Sequence, residues 1–156
     1  MKKLLFLLVL FTSCNYPGDG ALGGWNIVVF KTTEEKLKVA IDSLYKIEPK
    51  YHQIKKWQYE ADYWIKDHSY LRTIIFYFKD EPEEMYYVTF VGLGLGDNPN
   101  YSRLAIRGVE NGKGSWKRYD DFSTTEQLRV AKRFDREIVK RLESISGVTS
   151  YVEKKY

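Results

Sequence analysis

The sequence has a single cysteine, Cys14, and only two histidines, His52 and His68. One cysteine cannot form a disulfide within the chain, so the fold must be held by its hydrophobic core. Structural zinc sites use Cys and His ligands in closely spaced pairs, and the sequence contains no such pair. We therefore predict no disulfide and no metal site, and the residues suggest no cofactor.

The chain also lacks a strong charge imbalance and a long hydrophobic run. Its formal net charge is +4, and without Lys2 and Lys3 it keeps 23 of its 25 basic residues against 21 acidic ones. This near balance is not typical of a nucleic-acid-binding protein, so we predict no nucleic-acid partner. The longest apolar run, residues 4–11, is shorter than the roughly 20 residues that a transmembrane helix needs.

The first 14 residues have the order of a bacterial secretion signal. Two lysines precede the apolar run, and the small residues Thr12 and Ser13 separate that run from Cys14. This stretch resembles a bacterial lipoprotein signal peptide, with residues 11–14 as its lipobox. The resemblance implies cleavage before Cys14 and attachment of lipid to its sulfur. The alternative is an ordinary cleaved signal, in which Cys14 has no role.

The resemblance also implies a location. In the sorting rule of this family an aspartate after the cysteine retains the protein in the inner membrane, so Asn15 implies the periplasmic side of the outer membrane of a Gram-negative bacterium. Residues 15–24 contain four glycines and one proline, which is typical of a flexible tether. We divide the chain into a signal peptide at 1–13, a tether at 14–24 and one domain at 25–156. The resemblance implies nothing about the fold of that domain.

The pattern of the domain predicts an α+β fold. Stretches rich in β-branched and aromatic residues predict strands at 25–31, 53–60, 71–78, 85–91, 101–109 and 115–119. Residues 148–156 form either a short edge strand or a frayed end. Apolar residues at helical spacing predict helices at 33–47 and 124–144, with Thr32 and Ser123 as N-caps. We expect a mostly antiparallel sheet of five or six strands with both helices packed on one face.

Aromatic residues make up 16% of the chain, including 13 tyrosines and four tryptophans. If both helices pack on one face of the sheet, aromatic side chains on the other face are free to stack on sugars or to contact a protein. The candidate binding surface comprises Trp57, Tyr59, Tyr63, Trp64, Tyr86 and Tyr87. The alternative is that these side chains pack in the core and across neighbouring strands.

Basic residues recur at helical spacing along the second predicted helix. They are Arg129, Lys132, Arg133, Arg136 and Lys140. At about 100° per residue they share one side of the helix, nearly opposite an apolar stripe. That stripe comprises Leu128, Ala131, Phe134, Ile138 and Leu142. We predict that the cationic face contacts anionic lipid head groups or an acidic partner, and the alternative is a solvated helix surface.

The residues favour binding over catalysis. The one cysteine is assigned to lipid, no serine lies in a nucleophile-elbow context, and Glu60 and Asp62 share a predicted strand face as many solvated pairs do. We therefore predict a membrane-anchored, non-enzymatic envelope lipoprotein that binds a protein or a glycan. The alternative is a periplasmic inhibitor or immunity protein against a toxin or hydrolase. A glycan-acting enzyme is the less favoured third interpretation.

Overall fold

The computed structural model describes residues 24–52, 57–67, 71–92, 98–112 and 115–153. The predicted signal peptide, Cys14 and the tether up to residue 23 lie outside the described residues. His68 and residues 53–56 of the predicted second strand lie outside them as well. Within the described ranges, no helix is both long enough and apolar enough to cross a membrane.

Strands and helices are mixed along the chain, so the predicted α+β class is confirmed. The strands are β1 (Ile27–Phe30), β2 (Thr73–Phe78), β3 (Glu84–Phe90), β4 (Ser102–Glu110), β5 (Trp116–Lys117) and β6 (Ser150–Glu153). The helices are α1 (Glu34–Ile47), α2 (Gln58–Asp67), α3 (Thr124–Phe134) and α4 (Lys140–Ser146). A π-helical turn, Asp135–Val139, joins α3 to α4. We call these three segments together the C-terminal helix.

All six strands belong to one antiparallel sheet. The order across the sheet is β2-β3-β4-β1-β6, and β5 pairs with the end of β4. Residues 150–153 therefore form an edge strand rather than a frayed end, with Val152 opposite Val28 of β1. The two edges of the described sheet are β2 and β6.

One face of the sheet packs against α1 and the C-terminal helix, as predicted. Helix α1 buries Leu37, Ala40, Ile41 and Leu44, which recur at the spacing of one helix face. They join a large core cluster with strand residues such as Phe30. Both helices are amphipathic because their outer faces carry charged residues, so burial of this one apolar face is the main force that holds them on the sheet.

The second predicted strand is wrong, because part of it folds as helix α2. Trp57, Tyr59 and Ala61 alternate with polar residues as a strand would, but only Trp57 and Ala61 are buried. These two lie four residues apart, which is one helical turn. Helix α2 packs on the face of the sheet opposite α1, in a second core cluster with Ile75 and Tyr87. The two predicted helices do share one face, but the expectation that the other face of the sheet is free is wrong.

The two predicted N-caps have different outcomes. Ser123 caps α3: its hydroxyl accepts from the Glu126 N–H at 3.4 Å, and the Glu126 carboxylate accepts from the Ser123 N–H at 3.0 Å. Helix α1 is capped by Thr33 instead of Thr32, since the Thr33 hydroxyl accepts from the N–H of Lys36. Thr32 is buried one residue earlier. For α1 the prediction of a threonine cap is correct in residue type and wrong in position by one residue.

The apolar stripe of the C-terminal helix differs from the predicted one in its first half. Leu128 and Ala131 are exposed, and α3 buries Val130 in their place, while the predicted Phe134 is buried. The predicted residues Ile138 and Leu142, which follow, are buried. A π turn inserts one extra residue, and one residue corresponds to about 100° of rotation. A stripe drawn at constant helical spacing therefore cannot follow the buried face on both sides of the turn.

Candidate functional site

Three members of the predicted aromatic surface are buried. Tyr86 and Tyr87 point to opposite faces of β3, Tyr86 into the core beneath α1 and Tyr87 into the core beneath α2. Trp57 packs edge-on against Tyr77, with ring centroids 5.7 Å apart. For these residues the prediction of an exposed surface is wrong, because Tyr86 lies in the core cluster of α1 and the C-terminal helix, and α2 covers the face that carries Tyr87. Trp64 lies in α2, and its side chain is outside the described part of the structure.

Tyr59 and Tyr63 remain exposed, with 78% and 59% of their surface accessible. Their rings stack on the outer side of α2, with centroids 6.5 Å apart and an interplanar angle of 22°. Ile65, in the last turns of the same helix, is also exposed. The predicted aromatic surface is thus reduced to a small convex patch on a helix. Such a patch can add contact area but does not enclose a ligand.

Two residues of the predicted cationic face are structural, because they bind the buried carboxylate of Glu84. Glu84 begins β3 and is 1% exposed. Arg129 holds both of its oxygens at 2.8 and 2.5 Å, and Arg133 donates to one of them at 3.1 Å. Arg133 also donates to the backbone carbonyls of Asp80 and Pro82. These bonds tie α3 to the hairpin that joins β2 and β3, and hydrogen bonding to Glu84 raises the pKa of Arg129.

The remaining basic residues lie among acidic ones. Arg136 pairs with Glu137 at 2.8 Å and Lys140 with Glu143 at 2.9 Å. Lys132 makes no salt bridge within the described part of the chain. The surface beside α3 also includes Asp80 and Glu81 of the hairpin tip. Lys132, Arg136 and Lys140 are exposed, and carboxylates around them offset much of the charge of this face. The contact of this face with anionic lipid or an acidic partner stays a prediction.

On the other side of α3 lies an apolar groove that the sequence did not reveal. We call it the β6 groove. It has a volume of about 390 Å³ and lies between α3 and the strands β1, β4 and β6. Its apolar lining comprises Trp25, Val28, Ile106, Leu128, Ala131 and Val152. Leu128 and Val152 are 56% and 51% exposed, so apolar surface that would normally be covered faces solvent along the groove.

The position of α3 explains why this groove exists. Arg129 and Arg133 bind the hairpin side of the sheet, and the ring of Phe134 contacts that of Phe76 on β2, with centroids 6.1 Å apart. The helix therefore covers the β2 side of the sheet more closely than the β6 side. The described part of β6 has four residues and forms the edge of the described sheet. The result is a strip of sheet beside Val152 that no described element covers.

The hydrogen-bond phase of β6 determines which of its backbone groups face outward. Lys31 N–H donates to the carbonyl of Thr149 at 3.3 Å, and in an antiparallel pair the bonded residues alternate along the strand. Tyr151 and Glu153 consequently point their backbone groups towards β1. Ser150 and Val152 point theirs away from β1, towards the outer edge.

An independent contact supports this phase. The N–H of Ser150 donates to the carboxylate of Glu143 at 2.7 Å, so it does point away from β1. Glu143 in turn bonds Lys140, and this bond, together with those from Ser150, holds the pKa of Glu143 below its ordinary value. Glu143 is therefore charged at neutral pH and closes the outer edge at Ser150. Among the described residues, no side chain closes the outer edge at Val152 in the way that Glu143 closes it at Ser150.

The β6 groove offers shape and apolar contact rather than reactive groups. Its described lining contains one carboxylate, Asp135, and one cation, Lys132. Canonical glycoside hydrolysis needs two facing carboxylates, which this lining does not provide. Glu60 and Asp62, the carboxylates considered from the sequence, lie on α2. Within the described residues, no group of three or more His, Cys, Asp or Glu side chains is placed to hold a metal ion.

Comparison with known proteins adds no assignment to this geometry. The chain matches no protein-family model, no curated protein and no solved structure.

Proposed function

We propose that this chain is a lipid-anchored lipoprotein of the Gram-negative cell envelope whose domain binds a protein partner and catalyses no reaction. The β6 groove carries the proposal, because it is the concave apolar surface in which an edge strand and an exposed helix face meet. Exposed apolar surface of this kind, with a polar rim, marks interaction sites on soluble domains. The rim here includes Asn26, Thr124 and Gln127.

The location rests on the first 14 residues. The lipobox resemblance at residues 11–14 supports lipid attachment to Cys14, and Asn15 supports the periplasmic side of the outer membrane. A domain held there by a tether meets envelope proteins at high local concentration, so a modest binding surface is sufficient. An inhibitor or immunity protein is the form this function takes if the partner is a toxin or a hydrolase.

A charge placed in the groove tests the binding function. Leu128→Glu is expected to reduce the amount of partner captured from envelope extracts about tenfold, because a carboxylate would be buried against apolar surface. Ile47→Glu is the matched control, since Ile47 is also an exposed apolar helix residue but lies away from the groove. Quantitative mass spectrometry of the captured proteins gives the readout. If every captured protein is retained equally by both variants, the groove is not the binding site.

Replacing Cys14 with alanine tests the anchor. The variant is expected to move from the membrane fraction to the soluble periplasmic fraction, because each buried CH₂ of a lipid chain contributes about 0.8 kcal/mol to membrane attachment. Fractionation followed by a high-salt wash separates lipid anchoring from electrostatic adsorption. Ser13→Ala is the control, since it keeps the cysteine and a small residue before it. A Cys14→Ala protein that still sediments after the wash contradicts the anchor.

A further inference from the structure

We infer that the ligand of the β6 groove is an extended segment of a partner protein, which adds to the sheet as a new strand beside β6. The inference rests on the proposed function and names the kind of partner and its mode of binding. The segment is uncharged where it contacts the groove and carries apolar side chains at alternate positions. Binding of this kind takes its affinity from backbone hydrogen bonds and its specificity from pockets for alternate side chains.

The first step of the argument is the backbone of Val152. Its N–H and C=O point to the outer edge, because Tyr151 and Glu153 carry the bonds to β1 and Ser150 is turned outward to Glu143. One residue that presents a donor and an acceptor side by side is matched by one residue of another extended chain. A small apolar molecule cannot use both groups in this way.

The second step is the side chain of Val152. Val152 lies opposite Val28 and therefore shares the helix-facing side of the sheet. On an added strand, the residue beside Val152 points its own side chain to the same side, into the space beneath Leu128 and Ala131. The groove volume of about 390 Å³ lies within the range of about 300–1,000 Å³ that is usual for ligand sites. Neighbouring residues of the added strand point to the opposite side, next to the exposed ring of Tyr151.

The third step concerns the part of the edge that is open and the charge of the groove. Glu143 occupies the edge at Ser150, so the added strand is limited to the part of the edge that begins at Val152. Lys132 and Asp135 are the two charged residues in the described groove lining, so the net charge of that lining is zero. A charged side chain would lose hydration in the groove without a net gain from either of them. The complementary segment is therefore apolar in the groove and uncharged.

Val152→Pro tests this binding mode. Proline lacks the N–H, and at this position the N–H is not used by β1, so an outward-facing edge position tolerates the change. The probe is the tightest-binding peptide selected from a random-peptide phage library on the chain from residue 14 onward, with Cys14→Ser. Fluorescence anisotropy is expected to show about tenfold weaker binding to Val152→Pro, through loss of a backbone hydrogen bond and its preferred geometry. Val152→Thr keeps the N–H and the β-branched shape, so its affinity should stay within about twofold.

The outcomes separate the other possible ligands. Equal peptide affinity for wild type and Val152→Pro, or a library that yields no binder, overturns strand addition. If the wild type forms a concentration-dependent dimer and Val152→Pro abolishes it, the edge binds a second copy of the chain. If replacing residues 15–24 markedly raises the affinity for the peptide, the edge binds the chain's own tether. Both results overturn the inference. An envelope partner that is lost with Leu128→Glu but kept with Val152→Pro leaves the proposed function standing and removes only this mode of binding.

Discussion

Replacing Glu84 with glutamine is expected to lower the free energy of unfolding by about 3–5 kcal/mol. The side chain is buried and receives hydrogen bonds from Arg129, Arg133 and the hydroxyl of Tyr86. Glutamine has nearly the same shape, but it removes the Glu84 carboxylate from the buried guanidinium of Arg133. It also places an amide NH₂ group beside the guanidinium groups of Arg129 and Arg133, which only donate. Because domains are stable by about 5–15 kcal/mol in total, the loss is a large fraction of stability.

Urea denaturation of two single variants, Glu84→Gln and Glu137→Gln, compares the loss of a buried carboxylate with the loss of a more exposed one. Glu137 is partly exposed and pairs with Arg133 at 3.4 Å and with Arg136 at 2.8 Å. Removing this more exposed carboxylate should cost less than about 1 kcal/mol. Similar unfolding midpoints for the two variants would contradict a buried charge cluster at Glu84. Because Arg133 belongs to that cluster, a test of anion binding should alter Lys132 and Arg136 instead.

The local signals in the sequence predict much of the fold. Helix α1 follows from the spacing of Leu37, Ile41 and Leu44, and α3 follows from the capping residues Ser123 and Glu126. Strands β2, β3 and β4 follow from their β-branched and aromatic composition and their turn residues. Each of these signals lies within one element, so a single sequence contains it. The α+β class and the antiparallel sheet follow from them.

The errors come from contacts that join distant parts of the chain. The spacing of Trp57 and Ala61 fits a strand of period two as well as a helix. The apolar face of β2 and β3, which α2 covers, decides for the helix. Glu84 and Arg133 are 49 residues apart, so nothing near the basic stripe indicates that Arg133 is buried. The π turn rotates the face of α3, which hides the exposure of Leu128 from a constant-spacing argument.

The charge cluster and the β6 groove are connected through α3. Since Glu84 holds Arg129 and Arg133 on the hairpin side, the opposite side of α3, with Leu128 and Ala131, faces the open edge of the sheet. Residues predicted as the core stripe thus line the candidate binding site. Residues predicted as a binding surface hold the helix in place. Both differences from the prediction follow from the rotation of α3 about its own axis relative to the predicted orientation. The order of the strands does not affect them.

Trp57→Ala is expected to lower the free energy of unfolding by about 3–5 kcal/mol, the usual cost of removing a large buried aromatic side chain. The indole is buried between α2 and the sheet, where it joins Ala61, Ile75 and Tyr77 in the second core cluster. Its loss leaves a cavity that the flanking strands cannot close. It also removes the main apolar anchor of α2, so hydrogen exchange should become faster in that helix first.

Tyr59→Ala is the matched control, because Tyr59 lies two residues after Trp57, in the first turn of α2, and its aromatic ring faces solvent. Its cost should stay within about 0.5 kcal/mol. Gly112→Ala supplies a second check: Gly112 has a φ of +77°, and an added Cβ would lie 2.9 Å from a Trp57 ring carbon. Gly112→Ala should lower the free energy of unfolding more in the wild type than in Trp57→Ala, because the clash with the indole is absent in the second case. The cost of placing alanine at a positive φ is the same in both. Equal losses for Trp57→Ala and Tyr59→Ala would mean that Trp57 does not hold α2 on the sheet, and the sheet face beneath α2 would again be a candidate for binding.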